Sequence, residues 1–170
     1  MDSMTHDITR LSFDTGLPYE EFRARYEAAV PELDPTRLAG FVAREAGWPE
    51  VVADADTRAT HGFLIYWRSD MTPVMSLAGN TGRCTAYLMG NHTIAERMYR
   101  HDPAVMLYAP LRTVICVDTD GRTRFVIDQP STVFAGFGNP SITAVGFELD
   151  RKLADLLAAL EIPTNGALGV

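Results

Sequence analysis

The stretch from Cys84 to Pro140 constrains the fold most, because Gly, Pro and Asp residues cut it into apolar runs only long enough for single strands or one short helix. Cys84 to Met89 is an apolar run of strand-favouring residues that Gly90-Asn91 stops. Ile94, Ala95, Met98 and Tyr99 follow at helical spacing, with Thr93 and Glu96 placed as a capping box and Asp102-Pro103 as the stop. Val105 to Tyr108 then leads to Ala109-Pro110. Beyond it, Leu111 to Asp118 and Arg122 to Asp128 flank Asp120-Gly121, which predicts an antiparallel hairpin with Gly121 at positive φ.

The first half is read by the same signals. Ile8 to Phe13 suggests a strand ending at Thr15-Gly16, and Pro18 opens a helix whose apolar stripe is Phe22, Tyr26, Ala29, Val30 and Leu33. Asp34-Pro35 starts a second helix that Gly47-Trp48-Pro49 interrupts, and the acidic stretch from Pro49 to Thr60 fits a short helix or a loop. Gly62 to Trp67 reads as a strand, with Thr72 to Leu77 expected as its hairpin partner. After Pro140, a stripe from Ile142 to Leu160 predicts a closing helix. A chain of 170 residues, 46% hydrophobic, can bury one sizeable core. The expectation is a single α+β domain over residues 1–170, with an inserted helical segment at about 34–60. Its sheet is mostly antiparallel with helices packed on one face, in the order strand, helix, strands, helix.

The succession Gly90-Asn91, helix, Asp102-Pro103, Ala109-Pro110, apolar strand, Asp120-Gly121, strand, Asp128-Gln129-Pro130 and Asn139-Pro140 resembles the bacterial domain of unknown function 302 family. The second half of the chain carries the resemblance, and the first half matches in the order of its elements. It implies a small α/β domain, dimeric in many members, with a strand, a helix, a four-stranded antiparallel run and a closing helix. It implies no particular activity. The family pattern has a proline after the Gly-Asn turn, where this chain has His92, and Leu-Pro where it has Ala109-Pro110.

Charge and composition exclude several functions. A formal charge of −7 opposes sequence-independent binding to nucleic acid, which needs clustered positive charge. Lys152 is the only lysine and sits in a polar stretch of the closing helix, a poor place for a Schiff-base amine. No apolar run is long enough to cross a bilayer, and no cationic, apolar leader opens the chain, so a cytoplasmic location without membrane contact is expected. Gly79 to Gly82 and Gly136 to Pro140 lack the context of a phosphate loop, so no cofactor is expected. His61, His92, Cys84, Cys116 and Asp128 show no ligand spacing, so no metal is expected either.

The chemistry that remains centres on His92. An imidazole at a helix entrance lies among free backbone amides, which bind anions and disfavour the imidazolium. Tyr87, Met89, Asn91, Tyr108 and Arg112 are expected beside it as ligand-binding residues. Two functions follow: a domain that binds a small apolar, aromatic or anionic molecule between sheet and helices, or a cofactor-independent lyase, isomerase or cyclase using His92 as general acid/base. The apolar run from Phe63 to Trp67 adds the expectation of a homodimer through a sheet face or edge.

Overall fold

A computed structural model describes residues 3–169. Among them run β1 (Arg10–Asp14), α1 (Tyr19–Ala29), α2 (Pro35–Ala43), α3 (Trp48–Arg58), β2 (Leu64–Asp70), α4 (Thr72–Ser76) and β3 (Cys84–Gly90). They are followed by α5 (His92–Tyr99), a 3₁₀ turn (Pro103–Leu107), β4 (Leu111–Val117), β5 (Thr123–Asp128), α6 (Pro130–Ala135) and α7 (Pro140–Ala159). The five described strands form one sheet of order β1-β5-β4-β3-β2. Every neighbouring pair is antiparallel.

Strand alternation sorts the side chains into two faces. Leu11, Phe13, Tyr87, Met89, Ile115, Phe125 and Ile127 are buried in one cluster with Phe22 and Tyr26 of α1 and with Leu149, Leu153, Leu156 and Leu157 of α7. The helices therefore pack on this face. The alternate residues, Cys84, Ala86, Leu88, Val114, Cys116 and Val126, are only half-buried on the opposite, open face. Gly121 has φ +80° at the expected hairpin tip, where Asp118 Oδ1 accepts from the Asp120 and Arg122 N–H groups at 3.0 and 2.9 Å.

Two local expectations are corrected and one open alternative is decided. Thr72 to Leu77 is no strand; it contains α4, because Pro73 suits a first helical turn and Asp70 Oδ1 accepts from the Thr72 N–H at 2.9 Å. The partner of β2 is β3 instead. Thr93 and Glu96 form no capping box: Asn91 Oδ1 caps α5 by accepting from the Thr93 N–H at 2.9 Å, while Glu96 pairs with Arg100 one turn on. The acidic stretch after Pro49 is helical, as α3, with that proline in its first turn.

The order of elements places α6 and α7 beside the end of β3. A side chain at Gly146 of α7 would stand 3.0 Å from Ser131 Cα and 3.3 Å from Phe134 Cβ, so its absence lets α6 lie against α7. That contact holds Phe134 inward.

Candidate functional site

Where β3 passes into α5, the chain borders a cavity of about 140 Å³. Gly90, Asn91 and His92 line one side, Ile94, Ala95 and Met98 of α5 the next, and Ala109, Pro110, Leu111, Phe134 and Leu149 close it. Its wall is almost wholly apolar. Gly90 permits the closure, since a Cβ there would stand 3.1 Å from Pro110 Cβ and 3.2 Å from Pro110 Cα. The polar side chains at the wall are those of Tyr66, Asn91 and His92, and Asn91 is occupied by its cap bonds and by donating from Nδ2 to Gly62 O at 3.2 Å.

A β-bulge brings Tyr66 to His92. Ile65 pairs with Met89 and Trp67 with Leu88, so Tyr66 is the extra residue and has no partner in β3. A bulge re-aims the side chain it inserts. Here the Tyr66 hydroxyl lies 2.8 Å from His92 Nδ1.

Protonation follows from burial. The half-buried imidazole has its pKa lowered by desolvation, against a smaller opposing pull from Asp54, so His92 is neutral at pH 7. The dominant cause is loss of water, where the sequence pointed to the helix end. Burial likewise pushes the Tyr66 hydroxyl up to about 12, so it keeps its proton. Either group can donate in this 2.8 Å contact; with the phenol, the stronger acid, donating to Nδ1, the ring proton lies on Nε2. Nε2 is itself buried and has no hydrogen-bond partner among the described residues. A buried donor left unpaired costs about 1–3 kcal/mol, and such groups in a folded protein call for a reason.

The expected ligand set is divided. His92 and Asn91 line the cavity, but Tyr87 and Met89 are packed beneath α1. The Tyr87 hydroxyl donates to Glu27 at 2.9 Å, and Met89 Sδ accepts from the Tyr26 hydroxyl at 3.2 Å. Strand alternation explains this placement, because both residues point to the helix-covered face. Tyr108 and Arg112 border a separate depression with Leu107, Asp128 and Val133, which shares only Leu111 with the cavity. His61 lies in a polar cleft with Arg97, Arg100 and Lys152, so it does not face the space lined by His92.

Among the described residues, no three His, Cys, Asp or Glu side chains cluster to hold a metal ion, and no helix is long and apolar enough to cross a membrane.

Sheet and site together define a two-layer α+β domain with an apolar cavity at a strand-to-helix junction. The family model for the domain of unknown function DUF302 matches residues 42–160, and the chain belongs to that family. The crystal structure of an uncharacterized conserved DUF302 protein from Bacillus stearothermophilus superposes with a TM-score of 0.63. It is 15% identical and covers 89% of this chain and 97% of its own, a likeness of fold. No curated protein matches the chain.

Proposed function

We propose that this chain binds a small, neutral, mainly apolar molecule with one hydrogen-bond acceptor, which the His92 Nε2–H meets in the cavity beside α5. The observation that carries the reading is the buried, unpartnered Nε2 on a residue lining an otherwise apolar space. At about 140 Å³ the cavity is close to the ~150 Å³ apolar cavity that holds benzene in another protein, so the occupant is about one six-membered ring in size. A carboxylate is disfavoured, since the wall offers no fixed cation and the imidazole is neutral.

Two one-ring probes test this. Cyclohexanone carries an acceptor and benzene does not. Cyclohexanone binds the wild-type protein, and His92→Leu weakens it about tenfold while leaving benzene little changed, as expected for one buried hydrogen bond. Titration followed by NMR reads both affinities, and a cooperative unfolding curve checks the variant. The reading fails if neither probe binds or if His92→Leu affects the two alike.

A second reading is the cofactor-independent enzyme expected with His92 as the general acid/base. With Tyr66 behind Nδ1 holding the ring, a neutral Nε2–H can instead steady the negative charge that develops on a substrate oxygen in a lyase, isomerase or cyclase reaction, without giving up its proton. Mass spectrometry of a ligand retained by the freshly purified protein decides between the two. An unaltered molecule after prolonged incubation with the protein leaves binding alone.

A homodimer belongs to this proposal. Phe63, Leu64 and Ile65 are buried in the core, which leaves Trp67, 50% exposed beside Leu88 on the open sheet face, as the apolar anchor for a second copy. Sedimentation at micromolar concentration gives a dimer that Trp67→Ala weakens. A wild-type monomer at all concentrations discards this surface.

A further inference from the structure

We propose that Cys84 and Cys116 form a redox-active dithiol on the open sheet face, which a hydroperoxide converts to an intramolecular cross-strand disulfide. The two residues are direct partners across β3 and β4. Which kind of partner they are follows from their backbone bonds. The Cys84 N–H donates to Thr72 Oγ1 at 3.1 Å and its carbonyl accepts from the Met71 N–H at 2.8 Å, so both groups point away from β4. One residue along, the Val117 N–H donates to the Arg83 carbonyl at 3.0 Å, so Arg83 and Val117 are the hydrogen-bonded pair.

Cys84 and Cys116 therefore occupy a non-hydrogen-bonded site. In such sites opposed Cα atoms are about 4.5 Å apart and their side chains are close, within the ~4.4–6.8 Å that a disulfide spans. Register also puts both thiols on one face, the face that carries no helix, and both are free and half-buried. A small oxidant can reach them there. Burial raises the proton affinity of both thiols, with Asp118 adding to the effect at Cys116 and Arg124 opposing it. The pair accordingly rests as two thiols at neutral pH, does not react without an oxidant, and meets peroxide through a small thiolate fraction, so that step is slow.

The chemistry balances with the hydroperoxide as the two-electron acceptor. One thiolate attacks the peroxide oxygen, the O–O bond breaks, an alcohol leaves and a sulfenic acid forms. The second thiol attacks that sulfur, expels water and closes the S–S bond. Two thiols and one hydroperoxide thus give one disulfide, one alcohol and one water, and with hydrogen peroxide the place of the alcohol is taken by a second water. Formed between half-buried residues on the open face, the bond is within reach of small thiols, which makes it a switch rather than a permanent staple. It would tie β3 to β4 at the ends away from Gly90 and Leu111, and so leave the cavity lining in place.

The full-length protein is treated with one equivalent of hydrogen peroxide and digested with trypsin without reduction. The expected product is a linked pair of peptides, Cys84–Arg97 joined to Thr113–Arg122, in a protein that still migrates as a single chain. Free thiols fall from two to none, and dithiothreitol restores both. The proposal is overturned if both thiols survive peroxide, if each is oxidised separately to sulfinic acid, or if the only disulfides formed join different molecules.

Discussion

Replacing Asp150 by alanine lowers the free energy of unfolding by about 2–4 kcal/mol, the range for removing one member of a buried hydrogen-bonded polar group. Asp150 is 2% exposed on the inner side of α7. Oδ1 accepts from the Ser131 N–H at 2.9 Å and Oδ2 accepts from Gln129 Nε2 at 2.9 Å, so the carboxylate ties down the start of α6, a helix with no side-chain cap of its own. Alanine strands two donors inside the protein and opens a void where the carboxylate stood. Asparagine restores one acceptor but presents an NH₂ to the second donor, so Asp150→Asn falls between alanine and the wild type. Urea unfolding measures all three, with exposed Asp155→Ala as a control expected within about 0.5 kcal/mol of wild type. An Asp150→Ala protein as stable as that control would show that α6 is held by its apolar contacts alone. The consequence reaches the cavity, since Phe134 of α6 is part of its wall.

The elements the sequence made legible are those with a strong local signal at both ends. Pro18 and the stripe through Phe22 and Tyr26 marked α1, Asp120-Gly121 marked the β4–β5 turn, and Asn139-Pro140 marked the start of α7. The segment after Asp70 was misread because Thr72 to Leu77 has no periodicity, and the features that make it helical are a single proline and a side-chain bond from Asp70. The helix entrance at His92 was legible for a similar reason, since Gly90-Asn91 is a stop followed by a cap. Its partner Tyr66 was not. A bulge is set by how β2 and β3 fit together over the whole strand, and nothing around Tyr66 announces that it is the residue left without a partner. Tyr87 and Met89 had the right chemistry for a ligand site, and they failed as lining residues because alternation alone leaves open which face the helices cover.

The face they occupy leads to the other large effect, in which Phe22→Ala costs about 3–5 kcal/mol, the usual loss for deleting a buried phenylalanine side chain. α1 has no side-chain bond at its N-terminus, so its hold on the sheet comes from the side chains beneath it. Three of them, Tyr19, Phe22 and Tyr26, fall at helical spacing and are buried. Phe22 is fully buried with its ring edge-on to Phe125, the centroids 6.4 Å apart. The tyrosines on either side fix the register by polar contacts: the Tyr19 hydroxyl is 2.6 Å from Thr85 Oγ1, and the Tyr26 hydroxyl lies 3.3 Å from Thr113 Oγ1 while donating to Met89. Because those contacts survive in Phe22→Ala, the sheet has no easy way to collapse into the space the ring leaves, and the loss should sit at the upper part of the range. Tyr26→Phe removes only a hydroxyl and is expected to cost about 1 kcal/mol. If Phe22→Ala costs less than Tyr26→Phe, the polar contacts rather than the aromatic packing hold α1, and hydrogen exchange along α1 in the two variants would show the same reversed order.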